Sequence, residues 1–298
     1  MKPIIFSFFN ADKTAASIIE RCGFNLSDMV LHQFPDEETL PKINADVSEH
    51  SVIFIAALDR PNSKLLPLLF AAETVRDLGA TDIILVAPYL PYMRQDKRFH
   101  PDEGLTSQYF AALLSNYFDW LVTINPHLHR WKALSDVYSI PSTVLHAESV
   151  IAEWIIKNIS NPLIIGVGIE SEQWMASMAK RCNAPYLTAQ KVRSEDQMAI
   201  EVTIPKLAEY SEYTPVLVDD IIASAQTMIA AVKCVKKAKM QKPICIAVHG
   251  IFAGDAYNQL LKTGCEVVTC NTINHISNKI DMGPLLAGLL SGPLFDYT

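Results

Sequence analysis

Short apolar runs of strand length alternate with helical patterns along almost all of this chain, and that alternation limits the fold more than any other feature. The apolar runs fall at residues 4–8, 52–57, 83–87, 120–124, 163–167, 198–202, 216–218, 244–248 and 266–269. Helical patterns lie between or beside them at 14–22, 63–77, 103–116, 147–158, 171–180, 225–239 and 255–262. Strands written as continuous Val/Ile/Leu runs are apolar on both faces, so they need a cover on both faces. The expected fold is therefore α/β, with mainly parallel sheets flanked by helices. A chain of 298 residues is too long for one small core. The two halves repeat the same order of elements, and two tandem domains are expected, 1–145 and 146–298.

Charge and cysteine usage exclude several classes. A formal net charge of -7 argues against nucleic acid as a partner, because binding a phosphate backbone needs a basic surface. The one dense basic run, KCVKKAK at 233–239, falls in a helical pattern and reads as a solvated helix face. The six cysteines contain no C-x-x-C pair and several sit in strand-like runs, the pattern of buried free thiols in a reducing compartment. The first apolar run is too short for a secretion signal, and no window has the length of a membrane span. A cytoplasmic protein is expected.

Five segments carry groups suited to chemistry. In TPVLVDDIIASAQTMIAAVKCV (214–235), an apolar strand runs into Asp219 and Asp220, and the small and polar residues Ala223 to Thr227 then open a helix. Ligands of open α/β sheets bind beyond the carboxyl ends of the strands, and helix N-termini attract phosphate. Adjacent carboxylates there suit sugar hydroxyls or a divalent metal. Ser224 acting as a helix cap is the plainer reading of the same residues. The second segment, VAPYLPYMRQDKRFHPDEG (86–104), also leaves a strand end; two prolines stiffen it before Arg94, Asp96, Lys97 and Arg98 crowd together. That cluster fits triphosphate recognition. In TINPHLHRW (123–131), His127 and His129 would share a side if the chain were extended. Asp36 and Glu38 in QFPDEETL have the same spacing, as do Lys191 and Arg193 in AQKVRSED. The last pair is what a charge-stabilising loop would carry, and also what any exposed loop carries.

In this order and at these gaps, the segments resemble the ribose-phosphate pyrophosphokinase (phosphoribosyl pyrophosphate, PRPP, synthetase) family. PYLPYMRQDKRF is the most specific piece, with FPDEE, DRPNSKLLPLL, TINPHLHR, KVR and VLVDDII in support. The resemblance implies two phosphoribosyltransferase-like domains and transfer of the diphosphoryl group of ATP to the anomeric hydroxyl of ribose 5-phosphate, with Mg2+ required. By matching position it implies Arg94, Gln95 and Asp96 at the ATP site, with Phe34, Asp36 and Glu38 contributed by a partner subunit of a homo-oligomer. His127 would serve metal and phosphate, and Lys191 and Arg193 the transferred group. Asp219 and Asp220 would hold the ribose hydroxyls, and Ser224, Ala225, Gln226 and Thr227 the 5-phosphate. The chain departs from the pattern where Asn125 replaces Asp, Val167-Gly168 replaces Pro-Asp, Gln226 stands in the phosphate loop, and Glu37 and Asp102 replace glycines. A member that binds sugar phosphate or nucleotide without turnover, and a plain phosphoribosyltransferase, remain alternatives.

Overall fold

A computed structural model describes residues 2–98, 100–168, 172–193, 200–293 and 295. The chain divides into two compact units. The first comprises Met1–Leu145, Thr272–Asn274 and Met282–Thr298, and the second His146–Asn271 and His275–Asp281.

The first unit begins with β1 (Ile4–Phe8), α1 (Asp12–Cys22) and β2 (Asn25–Leu26). An antiparallel hairpin follows, β3 (Met29–Gln33) with β4 (Thr39–Ile43). The chain then returns through β5 (Ser51–Ala56), α2 (Asn62–Asp77), β6 (Asp82–Val86), α3 (Thr106–Tyr117), β7 (Trp120–Ile124) and β8 (Ser142–Leu145). Its main sheet has the order β2-β1-β5-β6-β7-β8, and all its pairs are parallel. Every residue from Val52 to Ala56 is buried, which is why β5 is apolar without alternation. Phe8 and Phe118 both meet the Phe54 ring edge-on, at 5.2 and 6.4 Å between centroids.

The second unit runs α4 (Glu148–Asn158), β9 (Pro162–Gly166), α5 (Glu172–Arg181) and β10 (Tyr186–Thr188). A second antiparallel hairpin follows, β11 (Gln190–Arg193) with β12 (Ile200–Thr203). Then come β13 (Thr214–Ile222), α6 (Gln226–Lys237), β14 (Ile244–Gly250), α7 (Ala256–Lys262), β15 (Glu266–Cys270) and β16 (Asn278–Ile280). The sheet order is β10-β9-β13-β14-β15-β16, again wholly parallel. Each unit thus steps outward on one side, inserts a hairpin, and resumes on the other side of its first strand. The order reverses between β1 and β5 in one sheet and between β9 and β13 in the other. Such switch points are where open α/β sheets bind ligands.

Helix α8 (Gly283–Leu290) packs on α1 of the first unit, although it lies in the stretch that the sequence places with the second domain. Ser291 Oγ donates to Cys22 Sγ at 3.0 Å, and Phe295 meets the Trp120 ring at 5.1 Å. Its apolar residues, among them Leu286 and Leu290, are buried against that unit, and burial of such residues outweighs chain proximity. Among the described residues no helix is long and apolar enough to cross a membrane.

All six cysteines are free, with Cys245, Cys265 and Cys270 buried. Burial pushes the Cys270 thiol well up, and the Cys245 thiol likewise. Labelling of the native protein with a thiol-specific disulfide reagent at pH 8 is expected to modify Cys22, Cys182 and Cys234 first. Equal rates at Cys270 would contradict the burial.

Candidate active site

In the second unit the strand carrying the two aspartates is longer than its apolar run. It continues through Asp219 and Asp220 to Ile222, still paired to β14. Asp219 is half-buried and Asp220 is 8% exposed. Adjacent strand residues leave on opposite faces, so these carboxylates do not form one chelating pair. Each is fixed by a main-chain donor instead. Asp220 N–H donates to Asp219 Oδ1 at 3.0 Å, and Ile221 N–H donates to Asp220 Oδ1 at 2.8 Å. A hydrogen bond onto a charged acceptor is worth about 1.5–3 kcal/mol, which offsets part of the cost of burying Asp220.

Beyond β13, Ala225 occupies the N-cap of α6 in the left-handed region, at φ 61°, with no side-chain cap. Ser224 is exposed and does not cap the helix, contrary to the plainer sequence reading. The first-turn N–H groups near Gln226 and Thr227 therefore have no side-chain cap, the arrangement that favours an anion. The backbone demand in this loop falls on Ala225, while Gln226 is already helical. Ala225→Gly relieves the Cβ at a positive φ, worth about 1 kcal/mol, but removes a methyl buried in the core, worth about as much, so the melting temperature is expected to hold within a few degrees. A shift well beyond that in either direction would contradict this balance.

Lys191 and Arg193 lie two residues apart on β11, opposite Val202 and Ile200. The sequence reads this segment as a loop, whereas its backbone is one arm of a hairpin. Residues 194–199, which include the start of the expected 198–202 strand, are outside the described set. The hairpin is tied down by Val202 and Ile204, both buried in the core of the second unit.

The first unit brings two of the motif segments together. Arg94 and Gln95 are exposed in the turn after β6, where Gln95 N–H donates to Tyr92 O at 3.1 Å. Asp96 turns inward: its side chain is 4% exposed and lies 3.4 Å from Arg130 in the segment after β7. Asp96 Oδ2 is buried with no hydrogen-bond partner among the described residues. Sequence reasoning passed over Arg130; its only signal was a cation one residue past the His127/His129 pair, and pairing with Asp96 depends on β6 and β7 being neighbours. The 125–131 segment is not a strand, so alternation does not govern the histidines. His127 is half-buried, His129 is exposed, and their rings are 6.3 Å apart. Asn125 sits at φ 38°, a conformation that Asn and Asp tolerate better than other side chains.

Phe34, Asp36 and Glu38 form the exposed tip of the β3–β4 hairpin. Glu37 N–H donates to Phe34 O at 2.9 Å and Phe34 N–H to Glu38 O at 2.8 Å, with Glu37 at φ 70°. This is a turn ending in a left-handed residue, the place where glycine is easiest. Asp102 has no positive φ and needs no glycine. A pair that sequence reasoning also missed lies at the end of β5: Lys64 Nζ donates to Ala57 O and to Asp59 Oδ1, both at 2.7 Å.

Two doubly wound units, one with adjacent strand-end aspartates followed by an uncapped helix, have a phosphoribosyltransferase-like fold. Residues 134–285 match the phosphoribosyl transferase domain, and residues 3–117 match the N-terminal domain of ribose phosphate pyrophosphokinase. The chain belongs to the ribose-phosphate pyrophosphokinase family. It is 29% identical to the ribose-phosphate pyrophosphokinase of Sulfurisphaera tokodaii, over 85% of this chain and 88% of that one. The corresponding protein of Methanobrevibacter smithii is 26% identical, over 93% and 96% of the two chains. The phosphoribosylpyrophosphate synthetase of Mycobacterium smegmatis has the same fold, with a TM-score of 0.83 at 19% identity, covering 97% of this chain and 98% of that one.

The family implies magnesium, so the donor set matters. Among the described residues no three His, Cys, Asp or Glu side chains are grouped to hold a metal ion. Asp219, Asp220 and His127 are separate donors. A single carboxylate at a strand end suits magnesium, which usually keeps several waters and binds through one or two carboxylates together with substrate phosphates rather than in an all-protein cage.

Proposed function

We propose that this protein is a ribose-phosphate pyrophosphokinase, forming PRPP and AMP from ATP and ribose 5-phosphate. The observation that carries this reading is the site on β13 and α6: two main-chain-anchored aspartates ahead of a helix N-terminus without a side-chain cap. Sugar hydroxyls suit the carboxylates as hydrogen-bond donors, and the 5-phosphate suits the first-turn N–H groups of α6. A single phosphoribosyltransferase domain would leave the first unit without a role. There Arg94 supplies charge for the triphosphate, and Asp96, paired with Arg130, anchors the segment that carries it.

The anomeric hydroxyl oxygen attacks the β-phosphorus in line. A bond forms between them, the bond from the β-phosphorus to the α,β-bridging oxygen breaks, and AMP leaves with that oxygen. The hydroxyl proton passes to solvent. Such a transfer needs alignment and cations far more than covalent help from the protein. Asp219 and Asp220 orient the sugar, while Lys191 and Arg193 offset charge on the diphosphoryl group. Magnesium would bind chiefly through the substrate phosphates, with His127 as its protein ligand, and would neutralise phosphate oxygens.

The exposed tip bearing Phe34, Asp36 and Glu38 suits contact with a second copy of the chain at the nucleotide, so we infer a homo-oligomer. A cytoplasmic location agrees with the absence of any membrane-crossing helix among the described residues. The test is AMP release from ATP and magnesium, with and without ribose 5-phosphate. Ribose-dependent AMP accompanied by PRPP is the expected result. A folded protein that binds both substrates yet releases no AMP would make it a non-catalytic member of the family.

A further inference from the structure

Gly168 follows the carboxyl end of β9, at the switch point of the second sheet. Val167 N–H donates to Val218 O at 3.0 Å, which sets residue 168 beside Asp219 on the neighbouring strand. A Cβ added at Gly168 would fall well inside contact distance of Asp219 Oδ1 and 3.3 Å from its Cγ. The φ of Gly168 is outside the left-handed region, so the backbone does not call for glycine there. The carboxylate does.

We propose that Gly168 is a positioning residue for ribose 5-phosphate: lacking a side chain, it leaves the space in which the Asp219 carboxylate is held. The proposal rests on the reading of Asp219 as a sugar ligand. Asp220 N–H fixes the same Oδ1 from the other side, at 3.0 Å. A side chain at 168 displaces that oxygen and breaks its bond to the main chain. Aspartate at 168, as in the family pattern, would also bring a second negative charge against Asp219.

The experiment is a double-mutant cycle on Gly168→Ala and Asp219→Ala, read by calorimetric titration with ribose 5-phosphate and, separately, with ATP. Gly168→Ala is expected to weaken ribose 5-phosphate binding about tenfold while ATP binding and the melting temperature hold. In the Asp219→Ala background the same change should cost less than about twofold, because its target has gone. Additive losses, or wild-type binding by Gly168→Ala, would overturn the proposal. If the wild-type protein does not bind ribose 5-phosphate, the functional reading of Asp219 fails. A crystal structure of Gly168→Ala then decides the local claim: a displaced Asp219 carboxylate upholds it, and an unmoved one refutes it.

Discussion

Replacing Lys191 and Arg193 together by alanine is expected to lower ribose-dependent AMP release by at least about a hundredfold, the usual scale for losing preorganised donors on a transferring group. Charge builds on the diphosphoryl oxygens as the bond to AMP breaks, and a cation placed there stabilises the transition state more than the bound substrates. The loss should appear in kcat, with ribose 5-phosphate affinity little changed, since the sugar is held by Asp219, Asp220 and the start of α6. The melting temperature should stay within a degree or two, because the core of the second unit is built from residues such as Leu163, Ile165, Leu217 and Val232. Turnover equal to wild type would remove the β11 pair from the mechanism.

Arg130→Ala should have the second largest effect. Removing one partner of a buried ion pair costs about 3–5 kcal/mol. The Arg130 side chain is 40% exposed, and water screening reduces the loss to an expected ~2 kcal/mol in the first unit. ATP binding should weaken as well, since Asp96 would no longer be anchored in the segment that carries Arg94 and Gln95. Adding Asp96→Asn removes the stranded charge and should recover much of the stability without restoring ATP binding. Thermal melts and ATP titration of the single and double variants separate the two effects. Should Arg130→Ala melt and bind like wild type, the Asp96 contact would be an incidental surface pair.

Much of the sheet framework was legible in the sequence because a strand buried on both faces must be apolar without alternation. The runs at 4–8 and 120–124 coincide with β1 and β7, and the run at 83–87 lies within a residue of β6 at each end. The β3–β4 hairpin left no such trace: its strand residues are mostly exposed or half-buried, as in Val30, His32 and Leu40. The β13 run was read as ending at Val218, since charged residues follow, yet the strand stays in register with β14 at Asp219 and again at Ile221 and Ile222. Helix α8 clusters with the first unit although it follows the second in the chain, because sequence order carries no information about which core an apolar helix will cover.

The candidate site divides in the same way. Residue types and spacing sufficed to single out Asp219, Asp220, Lys191, Arg193 and the Arg94–Asp96 segment, because phosphate and sugar chemistry demands charged groups at strand ends. Three features needed the tertiary structure: the main-chain donors that fix each aspartate, the pairing of Asp96 with Arg130, and the packing of Gly168 against the Asp219 carboxylate. The last two depend on which strands lie side by side. By itself the sequence determined the central strands of both sheets, the helices between them and the charged groups that stand at their ends, since periodicity and residue type are local. The neighbours of those groups were decided only when β6 paired with β7 and β9 with β13, which is a property of the folded sheet.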